Sequence, residues 1–465
     1  MRKQSQSGAR GIQEGLTAQG RGLARKIVWR SPSDLKPFPN NPRKHPEAQI
    51  ARMMQSMRQV WTNPILTDEA GMILAGHLRL EAANRLRLKQ VPTIKILGLT
   101  PEEKRAIVIA DNRLPEQAVW DFDLLRHHFE GLLEVDFNVE LTSFSTGEVD
   151  LIIDAGAQKP TADPDDNFAG DPAIGPAIAQ HGDVWQLGRH RLACGDAQSS
   201  ESYAKVLEDK LAAMIVADPP YNVVINGNAA GHGKTRYREF PMASGEMRPE
   251  EYTAFLNRIC ENVIKFSRSG AIHYLFIDWR HLPELLAAAK PMYSEWKNLL
   301  VWTKHNAGQG SFYRSKHELI TVFKSGTAPH VNNFKLGAQG RYRTNVLDYP
   351  SVNSLNKARR GDLELHPTTK PVALIADLIR DCSRRNDVIL DPFGGSGTTI
   401  LAAERTGRVA RVIELDPLYV DVAIRRWQDT TGISARHSET GQTFSELEAT
   451  RTAANTDSNE EAGNE

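Results

Sequence analysis

The sequence predicts an α/β protein, with a mostly parallel sheet that carries a ligand cleft and a smaller α+β module on its amino-terminal side. Three stretches lead to this reading. LAAMIVADPPYNV, residues 211–223, reads as a buried strand running into a proline loop. DVILDPFGGSGTTILAAERTG, residues 387–407, reads as strand, glycine loop and helix. ARVIELD, residues 410–416, reads as the next strand, with an acid at its end. Strands that alternate with helices build parallel sheets, whose ligands sit at the strands' carboxyl ends.

In chain order, residues 1–26 set six basic side chains against the single acid Glu14 and read as a disordered basic tail. Residues 27–154 read as a compact module. Pro64–Leu66 and Met72–Ala75 are short apolar runs flanking the polar turn Thr67–Gly71, and His77–Leu88 is helix-like. Val91–Leu97 is a strand, and Pro101 opens a helix with Glu102 and Glu103 in its first turn, where acids suit the helix dipole. Residues 155–180 are rich in proline without periodicity and read as a linker. Residues 181–432 read as the larger module, and 433–465 as a disordered acidic tail.

Within the larger module, Met214–Val216 is apolar and stops at Asp218-Pro219-Pro220-Tyr221. Two prolines cannot continue a sheet ladder, so a carboxylate, backbone carbonyls and an aromatic ring are left at the strand's end. This set suits an exocyclic base amine, whose lone pair is delocalised into the ring. Hydrogen bonds from the amine to Asp218 and the Pro219 carbonyl favour a tetrahedral nitrogen, and Tyr221 can stack on the base. A base reaches such a pocket only by leaving the duplex stack. Val388–Leu390 leads into Asp391-Pro392-Phe393-Gly394-Gly395-Ser396-Gly397, and a helix-like pattern starts at Thr398. Such glycines let the backbone approach a nucleotide-type ligand. Glu414 follows Gly397 by 17 positions (414 − 397), close to the spacing of an acid that binds ribose hydroxyls.

ADPPYN, HPTTKP and DPFGGSGTT together resemble the DNA amino-methyltransferase family in its beta motif order, over roughly residues 181–430. The resemblance implies a Rossmann-like S-adenosylmethionine-dependent methyltransferase fold with a seven-stranded sheet. It implies Asp218, Pro219, Pro220 and Tyr221 as the base-amine site. It places the methionine end of the cofactor on Asp391, Phe393, Gly394, Gly395, Ser396, Gly397 and Thr398, with Thr368 and Lys370 at the same end and Glu414 on the ribose. Residues 182–197 resemble the family's opening strand, with Asp196 near the adenine or the target base. Lys304, Tyr313, Arg314, His317 and Glu318 fall in its middle motifs and receive no chemistry. The leading Asp favours adenine N6; cytosine N4, an RNA or protein amide, and a DNA-binding switch with a vestigial methyltransferase half stay open.

NNPRKHP and NPILTDEAGMILAGHLRLEAANRLRLKQVPTI resemble the ParB/sulfiredoxin-like domain. The resemblance implies a phosphate or nucleotide at Gly76-His77-Leu78-Arg79, although Leu78 departs from the arginine of the nucleotide-switch members. Lys+Arg and Asp+Glu are both 57, so contact with double-stranded DNA must come from local patches. The basic residues of 222–250 and 327–365, Arg341 and Arg343 among them, are the expected patches. Three scattered cysteines predict neither metal nor disulfides, and no membrane contact is expected. The expected location is the cytoplasm, beside the nucleoid, and a second copy of the chain is an expected partner.

Overall fold

The computed structural model describes residues 22–23, 26–39, 41–154, 163–166, 176–223, 245–305, 312–334, 343–351 and 369–451. Contacts divide the chain into two compact units, Met1–Gly156 and Ala157–Glu465.

In the first unit, β5 (Val91–Leu97) is central to a small mixed sheet. It pairs antiparallel with β1 (Gly22–Leu23) and β2 (Val28–Arg30), and parallel with β3 (Ile65–Thr67). β4 (Ile73–Ala75) is antiparallel to β3 and runs straight into α2 (His77–Arg85), which packs beside α1 (Glu47–Gln59). Ile65, Ile73, Leu80, Ala83 and Val91 bury together beneath it. The start at Pro101 is real: Thr100 and Glu103 form a reciprocal capping box at α3 (Pro101–Arg113). Two further helices, α4 (Phe122–Glu134) and α5 (Thr146–Asp154), close a separate core of Phe129, Val139 and Val149.

Among the described residues, the second unit holds a ten-stranded sheet with helices against it. Its elements are β6 (Val184–Leu187), β7 (His190–Cys194), α6 (Ser200–Leu207), β8 (Ala212–Ala217), α7 (Pro249–Lys265), β9 (Ser267–Ile277), α8 (Leu282–Ala289), β10 (Glu295–Thr303), β11 (His317–Lys324), β12 (Val346–Asp348), α9 (Val372–Cys382), β13 (Val388–Asp391), α10 (Thr398–Thr406), β14 (Val409–Glu414), α11 (Pro417–Thr431) and β15 (Arg436–His437). The strand order is β12-β10-β11-β9-β8-β13-β14-β7-β6-β15. The centre, from β9 through β8, β13 and β14 to β7, is parallel. Along β8, Met214 and Val216 enter one core while Ile215 and Ala217 enter the other, so the strand reads as a continuous apolar run.

Three expectations change. Among the described residues the sheet has ten strands where seven are implied, and 182–197 is an antiparallel hairpin, β6 and β7, where a single opening strand is expected. The expected linker is docked where it is described: Arg405 pairs with Asp163 and Asp165, and Asp421 accepts from the Ile178 and Ala179 N–H groups at 2.7 and 2.8 Å. Residues 433–451 are ordered. β15 pairs with β6, residues 444–451 are helical, and Ala435, Phe444 and Leu447 are buried. Acidic composition masks this apolar triplet, and the Phe444 ring meets Trp185 at 5.3 Å.

Candidate active site

β8 and β13 lie side by side at the centre of the sheet, in register from Met214↔Ile389 to Ile215↔Leu390. β8 continues to β9 on one side and β13 to β14 on the other. Chain order reverses between them, and the crevice past the carboxyl ends of such a strand pair is the ligand position of open α/β sheets. Asp218 leaves β8 and Asp391 ends β13, so both proline-bearing loops open into one cleft. It encloses about 410 Å³ of empty space, some of it open solvent, and is lined by Asp218, Phe276, Lys370, Asp391, Phe393, Gly395 and Thr398, among others.

On the β8 side the cleft is dense in charge. Lys370 Nζ donates to Asp218 Oδ2 and lies 3.3 Å from Glu318 Oε2. The Tyr221 hydroxyl is 2.6 Å from Asp218 Oδ1 and 3.2 Å from Glu318 Oε2; with one proton to donate, the shorter contact takes it. Lys304 Nζ closes the network on Glu318 Oε1. Burial raises the Asp218 pKa against the pull of Lys370, and the Glu318 charge pushes it the same way. For Glu318 burial is outweighed by Lys370 and Lys304, which hold it down to about 2. Lys370 stays above the ordinary lysine value: burial opposes its charge, and Asp218 and Glu318 restore it. The Tyr252 hydroxyl of α7 donates to the Pro220 carbonyl at 2.8 Å, fixing the proline loop from behind. Asn222, at φ 53°, then pins the returning chain by accepting from the Gly245 and Met247 N–H groups and donating to Met247 O.

On the β13 side the cleft is dense in backbone. Asp391 accepts from Phe393 N at 2.9 Å and from Thr399 Oγ1 at 2.5 Å. Glu414 accepts from Gly395 N at 2.7 Å and from Asp416 N at 2.8 Å, so the acid expected on a ribose also ties the glycine loop to β14. Burial lifts Asp391 and Glu414 each to about 7. Arg426 of α11 is buried and donates to Ser396 O, Ser396 Oγ and Thr398 Oγ1 at 3.1–3.2 Å, and to Asp165 O at 2.7 Å. The described piece of the expected linker thus meets the glycine loop through one guanidinium.

Asp218, Pro219, Pro220, Tyr221, Asp391, Phe393, Gly394, Gly395, Ser396, Gly397, Thr398 and Glu414 therefore come together from two adjoining loops, the start of α10 and the end of β14, and Lys370 joins them from the segment before α9. Lys370 is expected at the cofactor's methionine end, yet its ammonium is on Asp218. Thr368 lies outside the described residues, as do Arg341 and most of both basic stretches. Arg343 is described, and its guanidinium pairs with Asp377 and Asp381 of α9. Asp196 accepts from Gln198 N at 2.8 Å, capping its own turn. Sequence reasoning assigned no role to Glu318, Lys304, Tyr252 and Arg426. Lys304 and Glu318 fall in middle motifs that carry no stated chemistry, and no motif announces Tyr252 or Arg426, because each meets the site from an element distant in sequence.

A parallel sheet with its cleft at the switch point, a DPPY loop on one strand and a glycine loop on the next defines a class of nucleotide-cofactor transferases. Residues 212–425 match the DNA methylase family, and residues 123–181 match the ParB-methyltransferase HTH domain, across the expected linker. The ParB-like nuclease domain-containing protein YnaK of Escherichia coli (strain K12) is 46% identical over 81 residues, 17% of this chain and 93% of that protein. Type II methyltransferase M.HpaI of Haemophilus parainfluenzae is 23% identical over 250 residues, 51% of this chain and 73% of that protein. The crystal structure of the M1.HpyAVI–SAM complex aligns with 50% of this chain and 97% of its own at 20% identity, with a TM-score of 0.37. Residues 212–425 are thus a DNA methylase domain, and the chain carries a ParB-like amino-terminal part. S-adenosylmethionine is the cofactor of this family.

Proposed function

We propose that this protein methylates the N6 amine of adenine at specific sites in double-stranded DNA. The observation that carries the reading is the junction of the Asp218–Tyr221 loop with the glycine loop at the switch point, charge on one side and open backbone on the other. The cradle fits the cofactor: a Cβ on Gly395, at φ 49°, would meet nothing within 4 Å, so the loop leaves space where a ligand can lie against main chain. Asp391, Phe393, Gly394, Gly395, Ser396, Gly397 and Thr398, with Thr368, would hold its methionine end, and Glu414 its ribose. When bound, S-adenosylmethionine supplies an electrophilic methyl group.

Asp218 and the Pro219 carbonyl accept from the amine and direct its lone pair, while Tyr221 stacks on the extruded base, a contact worth roughly 1–3 kcal/mol. The amine must displace a donor that Asp218 already has. Glu318 lies 3.2 Å from the Tyr221 hydroxyl and 3.3 Å from Lys370 Nζ, so either can turn to it without losing a partner. The raised pKa of Asp218 suits it to take the proton that the alkylated amine releases. The leading Asp of the motif favours adenine over cytosine N4. The ParB-like part is read as an accessory domain binding DNA or a nucleotide at Gly76–Arg79.

The test is transfer from labelled S-adenosylmethionine to unmethylated duplex DNA, followed by nucleoside analysis, with Asp218→Ala alongside. Label in N6-methyladenine that is lost in the variant is expected. Label in N4-methylcytosine would correct the base, and no label in DNA would sink the reading.

A further inference from the structure

The connection between β10 and β11 carries two aromatic rings in water. Phe312 and Tyr313 are 87% and 86% exposed, and their ring centroids lie 4.5 Å apart at 58°. Large apolar side chains left this exposed mark contact surfaces, because single exposed apolar residues are ordinary but a paired aromatic tip is not.

The roots of the same connection are fixed in the catalytic network. Thr303 pairs with His317, and Lys304 N donates to Lys316 O at 2.9 Å. One step inward, Lys304 and Glu318 bind each other, and Glu318 reaches Tyr221 and Lys370. Tyr313 is three residues from Lys316 (316 − 313), so its backbone stays within about 11 Å of the network's edge at full extension. The occupant is identified by charge. Residues 303–317 hold Lys304, His305, Arg314, Lys316 and His317 and no acid, which suits a polyanion.

We propose that Phe312 and Tyr313 form an aromatic wedge that enters the base stack of the substrate duplex and fills the gap left by the extruded target base. The proposal rests on the DNA-methylating reading of the Asp218 site. Extruding a base costs its stacking and pairing on both sides. Two rings on a tip rooted in the pocket that receives the base replace the lost stacking, while Arg314 and Lys316 meet the flanking phosphates. The wedge and the receiving pocket are then positioned by one structure, the β10–β11 ladder.

The test uses the full chain with Phe312→Ala and Tyr313→Ala combined. The target is first mapped on unmethylated plasmid DNA with the wild-type protein. Two duplex oligonucleotides bearing it are then compared, one fully paired and one with an abasic site opposite the target base. On the paired duplex the variant's kcat/KM is expected to fall about 30-fold, the order of one base's unstacking, and on the unpaired one to stay within about threefold of wild type. Unchanged cofactor affinity checks the fold. Equal losses on both duplexes, or no loss on either, would overturn the wedge. A wild-type chain that labels no DNA overturns the methylating reading itself, a different result from the variant's failure.

Discussion

In the first unit Gly76, at φ 99°, caps α2 directly after β4; in the second Gly397, at φ 82°, caps α10 after the loop that leaves β13. Both are left-handed glycines at the start of a helix without a side-chain cap, where the first backbone N–H groups have no partner within the helix. The surroundings differ in charge. Around Gly76 the guanidinium of Arg79 folds back over the turn, 3.3 Å from where a Cβ would sit. Around Gly397 the charges are mixed: Asp391 and Glu414 hold Thr399 and Gly395, the Arg426 guanidinium donates to Ser396 and Thr398 on either side of the turn, and the turn itself is wedged against Ala423. On the proposed reading, the same backbone device meets an anion in one unit and, in the other, a ligand that lies between buried acids and a buried guanidinium. Local geometry says that a ligand can approach; the side chains around it say which kind.

The comparison breaks most visibly at the glycines themselves. Ala at either position must adopt a left-handed conformation. At Gly397 its Cβ would also lie 2.8 Å from Ala423 Cβ and 3.1 Å from Ala423 Cα, in a helix that cannot retreat. Strain plus clash are expected to cost about 3 kcal/mol, seen by titration calorimetry as roughly 100-fold weaker S-adenosylmethionine binding for Gly397→Ala. At Gly76 the nearest atom is the movable end of Arg79, so Gly76→Ala is expected to cost about 1–2 kcal/mol of strain, with cofactor affinity unchanged. Equal losses of cofactor binding in the two variants would end the argument that the turns serve separate ligands.

The two turns should also answer pH differently. Burial raises Asp391 and Glu414 to about 7, so each is neutral below that pH and ionised above it. A ligand with cationic groups competes with those protons. Its affinity is expected to rise from pH 6 to pH 8, by at most about tenfold per pH unit for each proton released, and Glu414→Gln should flatten the curve. Around Gly76 no such titration is expected. The His77 pKa is lowered by burial, and its Nε2 already accepts from Phe38 N at 3.1 Å, which holds the ring neutral. The Arg79 charge persists throughout this range. Binding of sulfate, doubly charged at both ends of the range, should therefore be flat between pH 6 and 8. A cofactor affinity that is flat over the same span would refute the assignment of the acids.

How far the sequence carries follows from the same contrast. The strands at Val91–Leu97, Ala212–Ala217 and Val409–Glu414, and both loops of the cleft, are legible because their punctuation is local: Pro, Gly and a run of apolar residues. The role of Glu318 is not: the residue falls in a middle motif of the resembled family, but what it does depends on β11 lying two places from β8. Arg426 is hidden for a related reason. A buried arginine is written like any helical arginine, and its four acceptors come from residues 165, 396 and 398. The docked residues at 163–166 and 444–451 are missed because composition averages over a segment, whereas docking needs only a few side chains in the right places.

The smallest expected effect lies in the first unit and tests whether the Gly76 turn is a site at all. Arg79→Gln removes the positive charge and keeps a donor of similar reach, so α2 should remain folded, with Leu80, Ala82 and Ala83 still buried. Loss of one partly buried charge-assisted contact is worth about 1.5–3 kcal/mol, or roughly 10- to 100-fold in sulfate or CTP affinity. Cofactor affinity and methyl transfer to short duplexes should stay at wild-type levels, because the described Asp218 network is made by Tyr221, Glu318, Lys304 and Lys370 of the other unit. A helix cap with a solvated arginine predicts no anion binding to lose, in either protein. Binding that disappears in Arg79→Gln while the methyltransferase half is untouched would show that the chain holds two independent sites on the same backbone turn.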